Sequence, residues 1–149
     1  MPGESMFPGP EAGAPDRTQR DCAAAAATLD GQPPPGKLQA GKLLYAVDAT
    51  LPPGSPAPGA VELTSAALAA VRAGGGHVLS DSHHVFPNGA VTLVLILAES
   101  HLAIHTWPEE HLIAVDLFSC GAIDGERVIA DLAGRLGLSS TRVRELSRG

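Results

Sequence analysis

Twelve residues, Ala98-Glu99-Ser100-His101-Leu102-Ala103-Ile104-His105-Thr106-Trp107-Pro108-Glu109, hold a serine, two imidazoles, two carboxylates and the single tryptophan of the chain. An apolar run from Val91 to Ala98 leads into this stretch, and a second, Leu112 to Phe118, leaves it for Ser119-Cys120-Gly121. A strand that only packs does not need that density of reactive groups, so the stretch reads as a site built between two strands. A serine hydroxyl is a weak nucleophile until a base activates it. Here imidazoles follow at positions 101 and 105, and a thiol at 120. No G-x-S-x-G elbow surrounds Ser100, which argues against an α/β-hydrolase. His101-x3-His105, Cys120 and the pair His83-His84 have ligand chemistry for zinc. The HExxH arrangement is absent, however, and spacing alone is weak evidence for a site, so no metal is expected.

The string from Glu99 to Glu109, followed by Asp116-Leu117-Phe118-Ser119-Cys120-Gly121, closely resembles the prokaryotic S-adenosylmethionine decarboxylase proenzymes, which are pyruvoyl-dependent and self-cleaving. The resemblance runs from about Leu43 to Leu146 and is strongest from His84 to Gly121. It implies that Ser100 attacks the carbonyl of Glu99, that the resulting ester eliminates, and that the chain parts between residues 99 and 100 into β and α chains. A pyruvoyl group made from Ser100 would then be the covalent cofactor, its ketone condensing with the substrate amine as a Schiff base and accepting electrons as CO2 leaves. By the same resemblance His105 removes the α-proton during elimination, a task suited to neutral imidazole. Thr92 stands where the family usually has a serine that assists processing. Cys120 is the acid that protonates the substrate carbon; a thiol is mostly protonated at neutral pH. Phe86 would stack on adenine and Glu109 would accept hydrogen bonds from ribose hydroxyls. His101 sits next to the new terminus and is not expected to be catalytic. Ala103, Val85 and Glu110-His111-Leu112 depart from the family's usual residues near the expected pocket.

Around the site, the elements follow from periodicity. Lys42 to Asp48 reads as a strand, and four prolines between Leu51 and Ala60 make a loop. Thr64 or Ser65 is expected to cap a helix running to Ala73, with Leu63, Ala67 and Val71 inward. Gly74-Gly75-Gly76 ends that helix; lacking the Lys-Ser/Thr of a phosphate loop, it is not one. His77 to Phe86 is a strand, Pro87-Asn88-Gly89 a turn, and Val91 to Ala98 a well-buried strand. His101 to Thr106 alternates with period two, placing Leu102 and Ile104 on one face and His101, Ala103 and His105 on the other. Leu112 to Ser119 is a further strand. Asp124 caps a helix to Leu136, with Val128, Ile129, Leu132 and Leu136 inward, and Gly137 stops it. Thr141 to Leu146 is a short last strand. Hairpin-linked strands with two helices give a two-layer α+β domain, an antiparallel sheet covered on one face. The resemblance implies that two such sheets pack face to face in a dimer, an αββα arrangement of cleaved chains, (αβ)2.

Residues 1–40 are rich in Pro, Gly and Ala without periodicity and read as a disordered extension; residues 41–149 form the one domain expected of 149 residues. Net charge is −6, which disfavours nucleic acid, whose phosphates call for clustered Lys and Arg. No apolar run approaches the roughly 20 residues of a membrane helix, and Ala23 to Ala27 is too weakly apolar for a signal peptide core, so a cytoplasmic location is expected. In a reducing compartment Cys22 and Cys120 stay thiols. The expected activity is decarboxylation of S-adenosylmethionine to the aminopropyl donor for spermidine. The alternatives are a pyruvoyl-dependent arginine or ornithine decarboxylase, or a non-catalytic regulatory homologue.

Overall fold

A computed structural model describes residues 41–148; the Pro/Gly/Ala-rich extension and Cys22 lie outside the described residues. The elements are β1 (Lys42–Thr50), α1 (Ala60–Ala73), β2 (Val78–Val85), β3 (Val91–Leu97), β4 (Ser100–Trp107), a 3-10 turn (Pro108–Glu110), β5 (Leu112–Ser119), α2 (Gly125–Leu136) and β6 (Ser140–Arg148). Six strands form one sheet in the order β2-β3-β4-β5-β1-β6, with every neighbouring pair antiparallel. The run β2 to β5 is a meander of adjacent strands. The two helical connections take the chain further: α1 carries it from β1 to the β2 edge, and α2 carries it from β5 past β1 to β6. The expected α+β architecture is therefore observed.

The core lies between the helices and one sheet face. Leu63, Ala67 and Val71 of α1 and Val128, Ile129, Leu132 and Leu136 of α2 are buried, the same helix faces that the sequence period selects. They close on alternate strand residues, among them Val47, Leu93, Leu95, Leu102, Ile104, Val115 and Leu117. Each such Leu or Ile contributes about 1.5–3 kcal/mol when fully buried. The Asp124 carboxylate accepts the Arg127 N–H at 3.0 Å and caps α2 as expected. Gly137 ends α2 with φ 62°, a left-handed conformation that glycine takes without a Cβ penalty.

Three expectations need correcting. Helix α1 starts at Ala60 rather than at Thr64 or Ser65, with Gly59 at its N-cap and no side-chain cap. Pro58 and Gly59 end the loop earlier than hydroxyl caps would, and the buried Thr64 hydroxyl makes no hydrogen bond. Strand β3 is buried on one face only: Val91, Leu93, Leu95 and Leu97 face the helices, whereas Ile96 is 46% exposed. The final strand is longer than expected and exposed along its length. As an edge strand it carries Arg142, Arg144, Glu145 and Arg148, charges that discourage further pairing.

Helix α2 begins hard against β1, where a Cβ on Gly125 would fall 2.2 Å from Tyr45 Cε2. Gly125→Ala is expected to cost about 1–3 kcal/mol through overpacking, read as a lower urea midpoint with unchanged slope. Gly134→Ala in the same helix meets nothing within 4 Å and should stabilise by up to about 1 kcal/mol. Equal effects of the two substitutions would contradict this packing.

Candidate active site

Strand β3 pairs with β4 so that Leu97 lies opposite Ser100, leaving Ala98-Glu99 as a two-residue turn. Hairpins this tight favour Gly or Asn at positive φ in the turn itself. Neither is present, and the positive angle falls on the next residue: Ser100 has φ 148°. Non-glycine residues in such sparsely populated conformations store about 1–3 kcal/mol and persist only where the surroundings over-determine them.

Those surroundings can be named. On one side Ser100 is registered against Ser119 of β5. On the other, His77 grips the turn three times. Its carbonyl accepts the Ala98 N–H at 2.9 Å, its N–H donates to Glu99 Oε2 at 3.0 Å, and its Nδ1 lies 2.7 Å from Glu99 Oε1. Burial alone would raise the Glu99 pKa, but the hydrogen bonds from His77 outweigh it and hold the carboxyl below its ordinary value. Gly121 leaves room for this side chain, since a Cβ there would stand 3.2 Å from Glu99 Cγ.

The peptide carbonyl between Glu99 and Ser100 is also held. Its oxygen accepts the backbone N–H of Cys120 at 2.9 Å. A backbone donor aimed at a carbonyl oxygen stabilises negative charge that develops there during attack. The sequence reading selected Cys120 for its thiol and missed this backbone role, which follows only from the strand register. The same reading gave His101 no catalytic role, yet the His101 Nδ1 is 3.3 Å from Ser100 Oγ. His105 does not approach that hydroxyl within the chain. It lies five residues along β4, about 16 Å away at roughly 3.3 Å per residue.

A second group forms at the far end of β4. Thr92 and His105 are directly opposed, and Thr92 Oγ1 is 3.0 Å from His105 Nδ1. His84 is registered against Thr92 on the other side and meets the Phe86 ring edge-on at 4.7 Å. Glu109 is exposed in the 3-10 turn that follows β4. The structure therefore brings Glu99, Ser100 and Cys120 together at one end. It sets Thr92 and His105 at the other, with Phe86 and Glu109 on the connections at that end. Both His101 and His105 lie on the sheet face turned away from the helices, as the period-two reading expected.

Comparison with known proteins bears on the family and the fold. Residues 59–149 match the family model described as S-adenosylmethionine decarboxylase. The chain is similar to the S-adenosylmethionine decarboxylase proenzyme of Pseudomonas paraeruginosa, 39% identical over 83 residues, covering 55% of this chain and 52% of that protein. It is also similar to the proenzyme of Acidithiobacillus ferrooxidans, 39% identical over 88 residues, 58% of this chain and 66% of that one. The match thus spans about half the length of the former relative and just under two thirds of the latter. The adenosylmethionine decarboxylase from Aquifex aeolicus VF5 shares the fold with a TM-score of 0.64 and 25% identity, over 74% of this chain and 92% of that one. Among the described residues no helix is long and apolar enough to cross a membrane.

The Glu99 clamp gives a pH-dependent stability. A carboxyl held below its ordinary value stabilises the fold at higher pH, and the contribution is lost as pH falls through the folded-state value. In a Ser100→Ala background, which keeps the chain whole, adding Glu99→Gln should lower the melting temperature at neutral pH. The difference should shrink as pH drops below the ordinary glutamate value of 4.5. A difference that stayed constant down to pH ~3, below the ordinary carboxyl range, would remove His77 as the cause.

Proposed function

Because the chain belongs to the S-adenosylmethionine decarboxylase family, we propose that it is a self-cleaving pyruvoyl enzyme whose site is completed by a second copy. The observation that carries the first half is Ser100 itself: a strained residue whose preceding carbonyl oxygen already accepts the Cys120 N–H. Attack of Ser100 Oγ on the Glu99 carbonyl carbon breaks the peptide bond, forms an ester and lets the φ 148° conformation relax. Strain confined to the reacting residue lowers the barrier because it is released in the step. Elimination then removes the Ser100 α-proton and expels the Glu99 carboxylate. Water hydrolyses the resulting imine, releases ammonia and leaves the new α chain with its pyruvoyl terminus. These residues suit such a group, since it forms from Ser100 in place. When present it supplies an electron sink for loss of CO2.

The second half rests on distance. His105, the base for elimination, stands about 16 Å along β4 from the Ser100 of its own chain, with Thr92 orienting its ring. A two-fold interface makes residue i of one copy meet residue j of the other and the reverse. Sheets paired face to face with opposed strand directions would bring the His105 end of one chain over the Ser100 end of its partner. The face available for this bears Ile96 at 46% and Leu146 at 51% exposure, apolar surface left uncovered among the described residues. On this reading Phe86 stacks on the adenine, Glu109 receives the ribose hydroxyls, and Cys120 Sγ holds the proton that the substrate carbon receives. The substrate is S-adenosylmethionine and the product the aminopropyl donor for spermidine. Ala103, Val85 and Glu110-His111-Leu112, which depart from the family pattern, favour testing arginine and ornithine beside it.

Three measurements test the proposal. Denaturing intact mass should give two chains divided between Glu99 and Ser100, the C-terminal one carrying a pyruvoyl group, and Ser100→Ala should give one. Co-production of Ser100→Ala with His105→Ala should restore cleavage of the His105→Ala chain alone, because only its serine meets an intact histidine across the interface. Cleavage of neither chain, with wild type cleaving normally, would refute the shared site. Among substrates, processed protein should release CO2 from S-adenosylmethionine; release from arginine or ornithine instead would reassign the activity.

A further inference from the structure

We propose that His101 is a catalytic base for the first step of self-cleavage, the N-to-O acyl shift at Ser100; this rests on the serinolysis reading above. Ser100 Oγ must lose a proton as it attacks, and the imidazole the fold brings to it within the chain is that of His101, Nδ1 to Oγ 3.3 Å. His105 is at the other end of β4 and already engaged with Thr92 Oγ1 at 3.0 Å. A hydroxyl–imidazole contact somewhat long at rest is usual for a group that closes only during reaction.

The ring is held for the task. His101 sits between Ile96 of β3 and Phe118 of β5 in the sheet register. Its ring lies 5.8 Å from the Phe118 ring at 53°, and the Arg148 guanidinium covers Phe118 at 5.5 Å. With its own proton on Nε2, the imidazole accepts from Oγ at Nδ1. The step balances within the chain. The Oγ proton passes to Nδ1, the Oγ–C bond to Glu99 forms, the C–N bond breaks, and the Ser100 nitrogen takes the proton from Nδ1 as it becomes an amine. Cys120 N–H holds the oxyanion meanwhile. Work is thus divided between two histidines: His101 serves ester formation, and His105 serves elimination.

The test separates these steps by trapping the ester. Chains made by cell-free synthesis are sampled over time, with and without hydroxylamine, which cleaves an ester but not a peptide bond. Wild type should proceed to two chains. His105→Ala should stop at the ester and split only with hydroxylamine. His101→Ala should yield neither ester nor pyruvoyl chain at the wild-type rate, slowed by about 100-fold or more, and added imidazole should speed it. His101→Gln, which keeps bulk and a hydrogen-bond acceptor but no useful basicity, should stay slow with native circular dichroism. Ester accumulation in His101→Ala, wild-type speed in either variant, or no rescue by imidazole would overturn the role of His101 and leave serinolysis standing. A wild-type chain that forms neither ester nor fragments would overturn both.

Discussion

The Ala98-Glu99 turn is too tight for its residues, and much of the structure is arranged to keep it so. Leu97 and Ser100 are locked opposite one another, Ser119 holds Ser100 from β5, and the Cys120 N–H holds the Glu99 carbonyl. His77 clamps the rest of the turn, and its place is set by α1, whose C-terminal Gly74-Gly75-Gly76 delivers the chain to β2. Asp124, the cap of α2, donates its N–H to the Gly74 carbonyl, so the second helix braces the first at that corner. The energy stored at Ser100 is small, about 1–3 kcal/mol, against the burial of two helix faces on the sheet. A fold of this size can hold a strained peptide without endangering itself.

The same sheet has two unlike faces. One carries leucines and isoleucines at near-zero exposure beneath the helices. The other carries His101 and His105, with Thr92, Ala103 and Asp116 in register beside them and the apolar Ile96 and Phe118 among them. That mixture explains why β3 reads as an almost wholly apolar run, broken by Thr92. Its inward residues answer to this chain's core, whereas Val94 and Ile96 look out onto a face that no other element among the described residues covers. The proposed shared site would take up such a face, lined with imidazoles and bordered by exposed aliphatic groups, and excluding water there would strengthen the hydrogen bonds and charge interactions inside it.

What could be read from the sequence was local. Alternation at Leu102 and Ile104 against His101 and His105 assigned the faces of β4 correctly. The 3.6-residue period found the inward side of α2, and Asp124 and Gly137 marked its ends. The start of α1 was misread because Thr64 and Ser65 look like caps, yet they sit one turn inside a helix that begins at Ala60 after Pro58-Gly59. Hydroxyl residues are good caps only where the chain is free to leave the helix, and here burial of Leu63 in the core keeps the preceding turn helical.

By itself the sequence determined the cast of reactive groups, the family and the element types, because motif identity and periodicity are properties of near neighbours along the chain. The tertiary structure alone decided which of those groups meet. Inserting β1 between β5 and β6 was not legible, since strand order depends on where the helical connections pack. Nor was the contact of Cys120 N–H with the Glu99 carbonyl, which requires the β4–β5 register. Both histidines of the string follow Ser100 within five residues, and their types alone do not say which one reaches its hydroxyl. Extended backbone advances about 3.3 Å per residue, so the sheet leaves His101 beside the hydroxyl and carries His105 to the opposite end of the strand.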